Sequence, residues 1–123
     1  MTPAQFRAHL ARRFAETMAE DERVAAELKA RLPEAVRLIA AALGPRRVIL
    51  YGSLASGLFF AAHSDVDLAI EGLGEAPPDE LRAALRALMG RRVDLVDPAL
   101  VAPAVRQEMT SEGLVLSDPG MAR

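Results

Sequence analysis

Three aspartates occupy positions where a carboxylate is costly. The segment Asp65-Val66-Asp67-Leu68-Ala69-Ile70 alternates polar and apolar residues, so a strand there puts Asp65, Asp67 and Ala69 on one face and Val66, Leu68 and Ile70 on the other. Asp94 has the same kind of position in Arg92-Val93-Asp94-Leu95-Val96. A carboxylate inside a half-buried strand is expensive to desolvate unless it is paired or holds a cation. Three on one sheet face therefore point to a divalent metal site made of oxygen ligands alone, which suits magnesium or manganese better than zinc. Upstream, Tyr51-Gly52-Ser53 ends an apolar run and leads into Leu54-Ala55-Ser56-Gly57, where small residues let backbone N–H groups and a helix start approach an anion. Together these segments describe a phosphate cradle beside a metal site.

Plainer readings compete at each position. Alternation on a solvent-facing strand edge accounts for Asp65 and Asp67 by itself. Asp97 rivals Asp94, but its place before Pro98 is that of a helix cap. His63 could touch a phosphate, or simply close a loop with a polar residue. His9 flanks an apolar stripe and reads as structural.

The elements that must hold these residues follow from the pattern around them. Apolar residues recur at Phe6, Leu10, Phe14, Met18, Val24, Leu28 and Leu32, which predicts one long amphipathic helix from about Pro3 to Arg31. Pro33 starts a second helix through Val36, Ile39 and Leu43, stopped by Gly44-Pro45. Strands are expected at Arg47 to Tyr51, Asp65 to Ile70 and Arg92 to Val96, with a short edge strand at Leu114 to Leu116. Asp79 opens a helix that runs to Gly90, and Asp97-Pro98 opens another that ends near Gly113. The organisation expected is an amphipathic helix over 1–32, a domain over 33–116 and a flexible tail over 117–123. No repeat or low-complexity tract appears.

Bulk properties narrow the classes. With 123 residues there is room for one core, and 51% apolar with 26% charged residues is a globular balance. Fifteen basic against 17 acidic residues argue against general nucleic-acid binding. The absence of cysteine excludes a disulfide scaffold, a thiolate metal site and a cysteine nucleophile, and suits a reducing cytoplasm. No apolar run approaches the roughly 20 residues of a membrane span, and the first residues lack a signal peptide's apolar centre, so a cytoplasmic protein without membrane attachment is expected.

Gly52-Ser53, an eleven-residue spacer, Asp65-Val66-Asp67 and then Asp94 on a Val-Asp-Leu-Val strand together resemble the DNA polymerase beta superfamily of nucleotidyltransferases, and within it the minimal nucleotidyltransferases. The resemblance covers about Pro33 to Leu116. It implies an α/β nucleotidyltransferase fold, a small mixed sheet flanked by helices, to which the long N-terminal helix is an addition. It further implies that Asp65, Asp67 and Asp94 hold two magnesium ions around a nucleoside triphosphate, that Asp94 draws the proton from an acceptor hydroxyl, and that Gly52, Ser53 and Ser64 contact the nucleotide. ATP is the donor it suggests, and AMP the group transferred.

By the same resemblance the role is that of an antitoxin beside a helical HEPN toxin, modifying a tyrosine of that partner. A small-molecule nucleotidyltransferase is the second enzyme reading, although the chain has no space for a substrate-binding domain. The third is a non-catalytic module that masks a partner by contact. Minimal members usually read Gly-Ser-Arg-Ala-Arg-Gly, and here Leu54 and Ser56 replace the arginines, with no Lys or Arg from Tyr51 to Glu71. A triphosphate would then depend on metal ions, N–H groups and Arg47, Arg91 or Arg92. Leu58, Phe59 and Phe60 either close over the core or form an exposed contact. The first helix, too long for a globule of this size, is expected to overhang and to join a second copy or a helical partner, making a homo- or hetero-oligomer.

Overall fold

The structure, a computed structural model, describes residues 1–58 and 60–121. Helix α1 runs from Pro3 to Leu43, followed by β1 (Val48–Tyr51), the single-turn α2 (Ser53–Ser56), β2 (Val66–Ile70), α3 (Asp79–Met89), β3 (Val93–Val96), α4 (Pro103–Glu112) and β4 (Leu114–Ser117). The sheet order is β3-β2-β1-β4. β1 is antiparallel to both of its neighbours, while β2 and β3, joined through α3, are parallel. Among the described residues no helix is long and apolar enough to cross a membrane.

Strand alternation divides the sheet into two faces. Val48, Leu50, Val66, Leu68 and Ile70 point into the main core, where Leu28, Leu32, Ala35 and Ile39 of α1 and Leu81, Leu85 and Met89 of α3 close over them. On the other face Ile49 and Ala69 pack on Met109 of α4, with Tyr51 and Val96 at their margin. α4 covers only part of that face, so the ends of β1, β2 and β3 nearest Tyr51 and Asp67 remain accessible.

Two expected elements are rearranged. The first two helices are one, because Pro33 lies inside α1. Proline removes one backbone donor and crowds the preceding turn, but Pro33 is exposed, on the side away from Leu28, Leu32 and Ile39, so the helix keeps its buried contacts and continues. The helix expected from Pro98 is instead a 3-10 turn at Pro98–Leu100 followed by α4. Pro103 forces the residue before it out of the helical region, and Ala102 is accordingly extended, with ψ of 145°.

α1 begins in a capping box: the Thr2 hydroxyl accepts the Gln5 N–H at 3.1 Å and the Gln5 side chain accepts the Thr2 N–H at 2.8 Å. At its other end the Arg46 guanidinium donates twice to the Leu43 carbonyl, at 3.0 and 2.9 Å. The chain stays on the sheet past the expected edge strand, since Ser117 pairs with Val48 and the Asp118 carboxylate lies 3.6 Å from Arg47. Ala122 and Arg123 lie outside the described residues. Of the Leu58 to Phe60 stretch, Phe60 packs on the core and Leu58 is 65% exposed, while Phe59 lies outside the described residues.

Candidate active site

Strand register assembles the acids. The antiparallel pairing of β1 with β2 sets Tyr51 opposite Asp67, and the parallel pairing of β2 with β3 sets Asp67 opposite Asp94. Three polar side chains thus lie in a row across three strands, on the face that α4 leaves accessible. Burial, reinforced by the charges of Asp94 and Asp65 and by a hydrogen bond with Asp94, pushes the Asp67 carboxyl up to about 6, against a small opposing pull from Arg92. Burial, then the charges of Asp67 and Asp94, pushes the Tyr51 phenol up to about 12. Asp65, half-buried, sits one residue before β2 begins.

Gly52 fits this row for a steric reason. Its φ of 78° is unfavourable for any side chain, and the space a Cβ would take is filled by the Asp67 carboxylate. Ser53 then opens α2, and Leu54, in the place of an expected arginine, is 1% exposed in the main core. A side chain buried there cannot reach a nucleotide.

The loop before Asp65 is fastened at three points. The Ser64 hydroxyl accepts the Ala61 N–H at 2.9 Å, Asp21 of α1 accepts the Ala62 N–H at 2.8 Å, and Arg91 donates to the carbonyls of Ala62 and Ser64 at 2.7 and 2.9 Å. Arg91 is therefore a clamp on the loop rather than a phosphate ligand. Arg47 is also misplaced for that role, because it sits at the opposite end of β1 between Glu71 and Asp118. Of the three arginines considered, Arg92 alone is beside the acids, donating to Asp94 at 3.0 and 2.9 Å. Asp97 is buried and caps the 3-10 turn, accepting from Ala99 and Gly74 at 3.0 and 2.9 Å, and these backbone bonds, Gly74 first, hold its carboxyl below the usual range. His63 is exposed beside α1, and His9 lies on the free part of that helix.

Sequence reasoning missed a pocket of about 360 Å³ between Tyr51, Gly52 and Ser56 on one side and Val105, Glu108 and Met109 of α4 on the other. Its signal was absent because the helix that walls it returns from some 50 residues downstream. The pocket opens beside Gly52 and so adjoins the acid row.

A family model described as the nucleotidyltransferase domain matches residues 31–116. The chain belongs to that family. No curated protein sequence matches this nucleotidyltransferase. Among solved structures, it is similar to a protein provisionally described as a minimal nucleotidyltransferase, at 29% identity over 73% of this chain and 93% of that one, with a TM-score of 0.60. The fold is shared with a mutant of the toxin–antitoxin MntA-HpeT, at 24% identity over 68% and 69% of the two chains, TM-score 0.55. It is shared also with a toxin–antitoxin solved with AMP-PNP, at 22% identity over 65% and 67%, TM-score 0.53.

The donor set of this nucleotidyltransferase suits magnesium, since it offers carboxylate oxygens alone and presses two of them together at a half-buried position. The approach is partial: among the described residues no three acids close around one point, and Arg92 holds one carboxylate oxygen of Asp94. A divalent cation would take over the charge balance that Arg92 now supplies at Asp94.

Proposed function

We propose that the chain transfers AMP from ATP to a hydroxyl, acting as the antitoxin that modifies a tyrosine of a helical HEPN partner. The observation that carries this reading is the lateral row Tyr51, Asp67, Asp94 with Gly52 packed against Asp67, which places carboxylates beside a backbone turn and a helix start. The toxin–antitoxin neighbours support a toxin as the partner, and its helical HEPN character is what the resemblance of the sequence implies.

Asp65, Asp67 and Asp94 would hold two magnesium ions, which when bound neutralise the triphosphate and lower the pKa of the attacking hydroxyl. The chain's own groups do the rest. Gly52, Ser53 and Ser64 orient the departing phosphates, and the pocket beside Gly52 has room for the nucleoside. Asp94 takes the proton of the acceptor hydroxyl as its oxygen bonds to the α-phosphorus and pyrophosphate leaves. Arg92, beside Asp94, is the arginine placed to meet phosphate oxygens and would stand in for the loop arginines the chain lacks.

The burial of Leu54 and the Arg92–Asp94 pair favour a second reading, a module that masks its partner without chemistry. Incubating the chain and its co-purifying partner with magnesium and ATP labelled at the α-phosphate separates them. Catalysis predicts label on the partner that is lost with Asp65→Ala or Asp67→Ala. A stable complex, unlabelled and indifferent to both substitutions, leaves only masking.

A further inference from the structure

We propose that the free part of α1 pairs with the same part of a second copy, antiparallel and centred near Phe14. Among the described residues, the first side chain of α1 hydrogen-bonded to the rest of the molecule is Asp21, through Ala62. Everything before it, about 27 Å of helix at 1.5 Å per residue, projects from the domain. Along it Phe6, Leu10, Phe14 and Met18 are 52%, 50%, 68% and 47% exposed. At 100° per residue they continue the face that farther along buries Leu28, Leu32 and Ile39. The stripe is thus an extension of a packing surface, with the domain that covers it ending too soon.

Charge chooses the occupant and its direction. Of the charged residues that border the stripe, Arg7 and Arg13 precede Phe14 and Glu20 and Glu22 follow it; among the described residues neither arginine makes an ion pair, and Glu20 is paired with Arg23 of its own helix at 2.6 Å. Arg7 and Glu22 lie on one flank of the stripe, Arg13 and Glu20 on the other. Turning a second copy antiparallel about Phe14 sets Leu10 near Met18 of the second copy, Phe14 near its counterpart, and each arginine toward the acid on its own flank. A parallel pair would instead stack arginine on arginine and glutamate on glutamate. The surface is therefore complementary to itself under a two-fold axis, as an isologous interface requires. The first turn of the second copy reaches the charged groove between Arg13, Glu16 and Glu20 of α1 and Ala61, Ala62 and His63 of the loop, which has open space of about 520 Å³.

Sedimentation and light scattering of the purified full-length chain should show a dimer. Phe14→Glu should make it monomeric while circular dichroism and the thermal midpoint show the domain still folded. Arg13→Glu and Glu20→Arg alone should each weaken dimerisation about 10-fold, and the double reversal should restore it. The chain has no native cysteine, so direction is read by cross-linking: a mixture of Leu10→Cys and Met18→Cys chains should form the mixed disulfide in preference to either homodimer. A native chain that stays monomeric at about 100 µM, a dimer indifferent to Phe14→Glu, preferential self-linking of each cysteine variant, or a stripe that binds only a helical partner in one-to-one complex would each overturn the proposal.

Discussion

The two faces of the sheet are made from the same strands and have opposite fates. One face, Val48, Leu50, Val66, Leu68 and Ile70, is sealed beneath α1 and α3. The other begins alike, with Ile49 and Ala69 under Met109, but toward the strand ends it gives way to Tyr51, Asp67 and Asp94, which α4 does not cover. Successive residues of β2 therefore answer to different demands. Leu68 exists to be dry, and Asp67 is held half-buried at a cost, beside like charge, because the opposite face has enough apolar contact to tolerate it.

The strongest way to break this division is to exchange one residue on each side. Asp67→Asn should lower nucleotidyl transfer by about 10³-fold or more while leaving the fold at least as stable, as read by label transfer and thermal melts. Leu68→Ala should do the reverse, costing about 2–5 kcal/mol of stability in urea titration with specific activity of the remaining folded protein little changed. If both substitutions harm stability alike, the two faces are not distinct in the way described.

Gly52→Ala comes next. It meets both an unfavourable φ and the Asp67 carboxylate, so a loss of about 1–3 kcal/mol is expected. Combined with Asp67→Gly, which empties the clashing space, the steric part of that loss should be recovered. A double-mutant cycle with no coupling would show that the two residues do not share this space.

Acidity offers a gentler test. The Asp67 carboxyl is raised in the folded chain from an ordinary 3.8 to about 6, so the native state binds the proton more tightly than the unfolded state does. The stability this supplies is full below about pH 4 and is lost as pH rises through about 6. Asp67→Asn should therefore gain on the native chain across that interval and hold a constant advantage above it, in melts taken from pH 4 to 8. The smallest effect should come from Arg92→Gln: it removes the pull that opposes the rise, so the upper edge of the interval should move upward in pH while the lower edge, set by the unfolded chain, stays.

What was legible in the sequence is what depends on neighbours in the chain. Period-two alternation foretold that Asp67 and Ala69 share a face opposite Val66, Leu68 and Ile70, and the short Val-Asp-Leu-Val run foretold a strand for Asp94. Pro33 misled because a helix stop depends on whether the lost bond matters, and on an exposed side of a well-buried helix it does not. Pro103 was passed over inside an apolar pattern that ran through it. The functions of Arg47, Arg91 and Asp21 were invisible for another reason: each grips a group 24 or more residues away, and a side chain bonding to a remote carboxylate, carbonyl or amide leaves no spacing to read.

The three fastenings of the Ala61–Ser64 loop bear on the order in which the molecule is built. Asp21 must close over 41 residues to reach Ala62, and Arg91 must close over 29 and 27 to reach Ala62 and Ser64. Contacts so distant in sequence reward the chain only after intervening entropy has been lost, and the parallel β2–β3 pairing must wait for its α3 crossover. The β1–β2 hairpin can therefore form before the loop that leads to the acids has settled. In pulse-labelled refolding, amide protection at Ile49 and Ala69, which face each other across β1 and β2, should precede protection at Ala62, so that the chain acquires its core first and its chemistry afterwards.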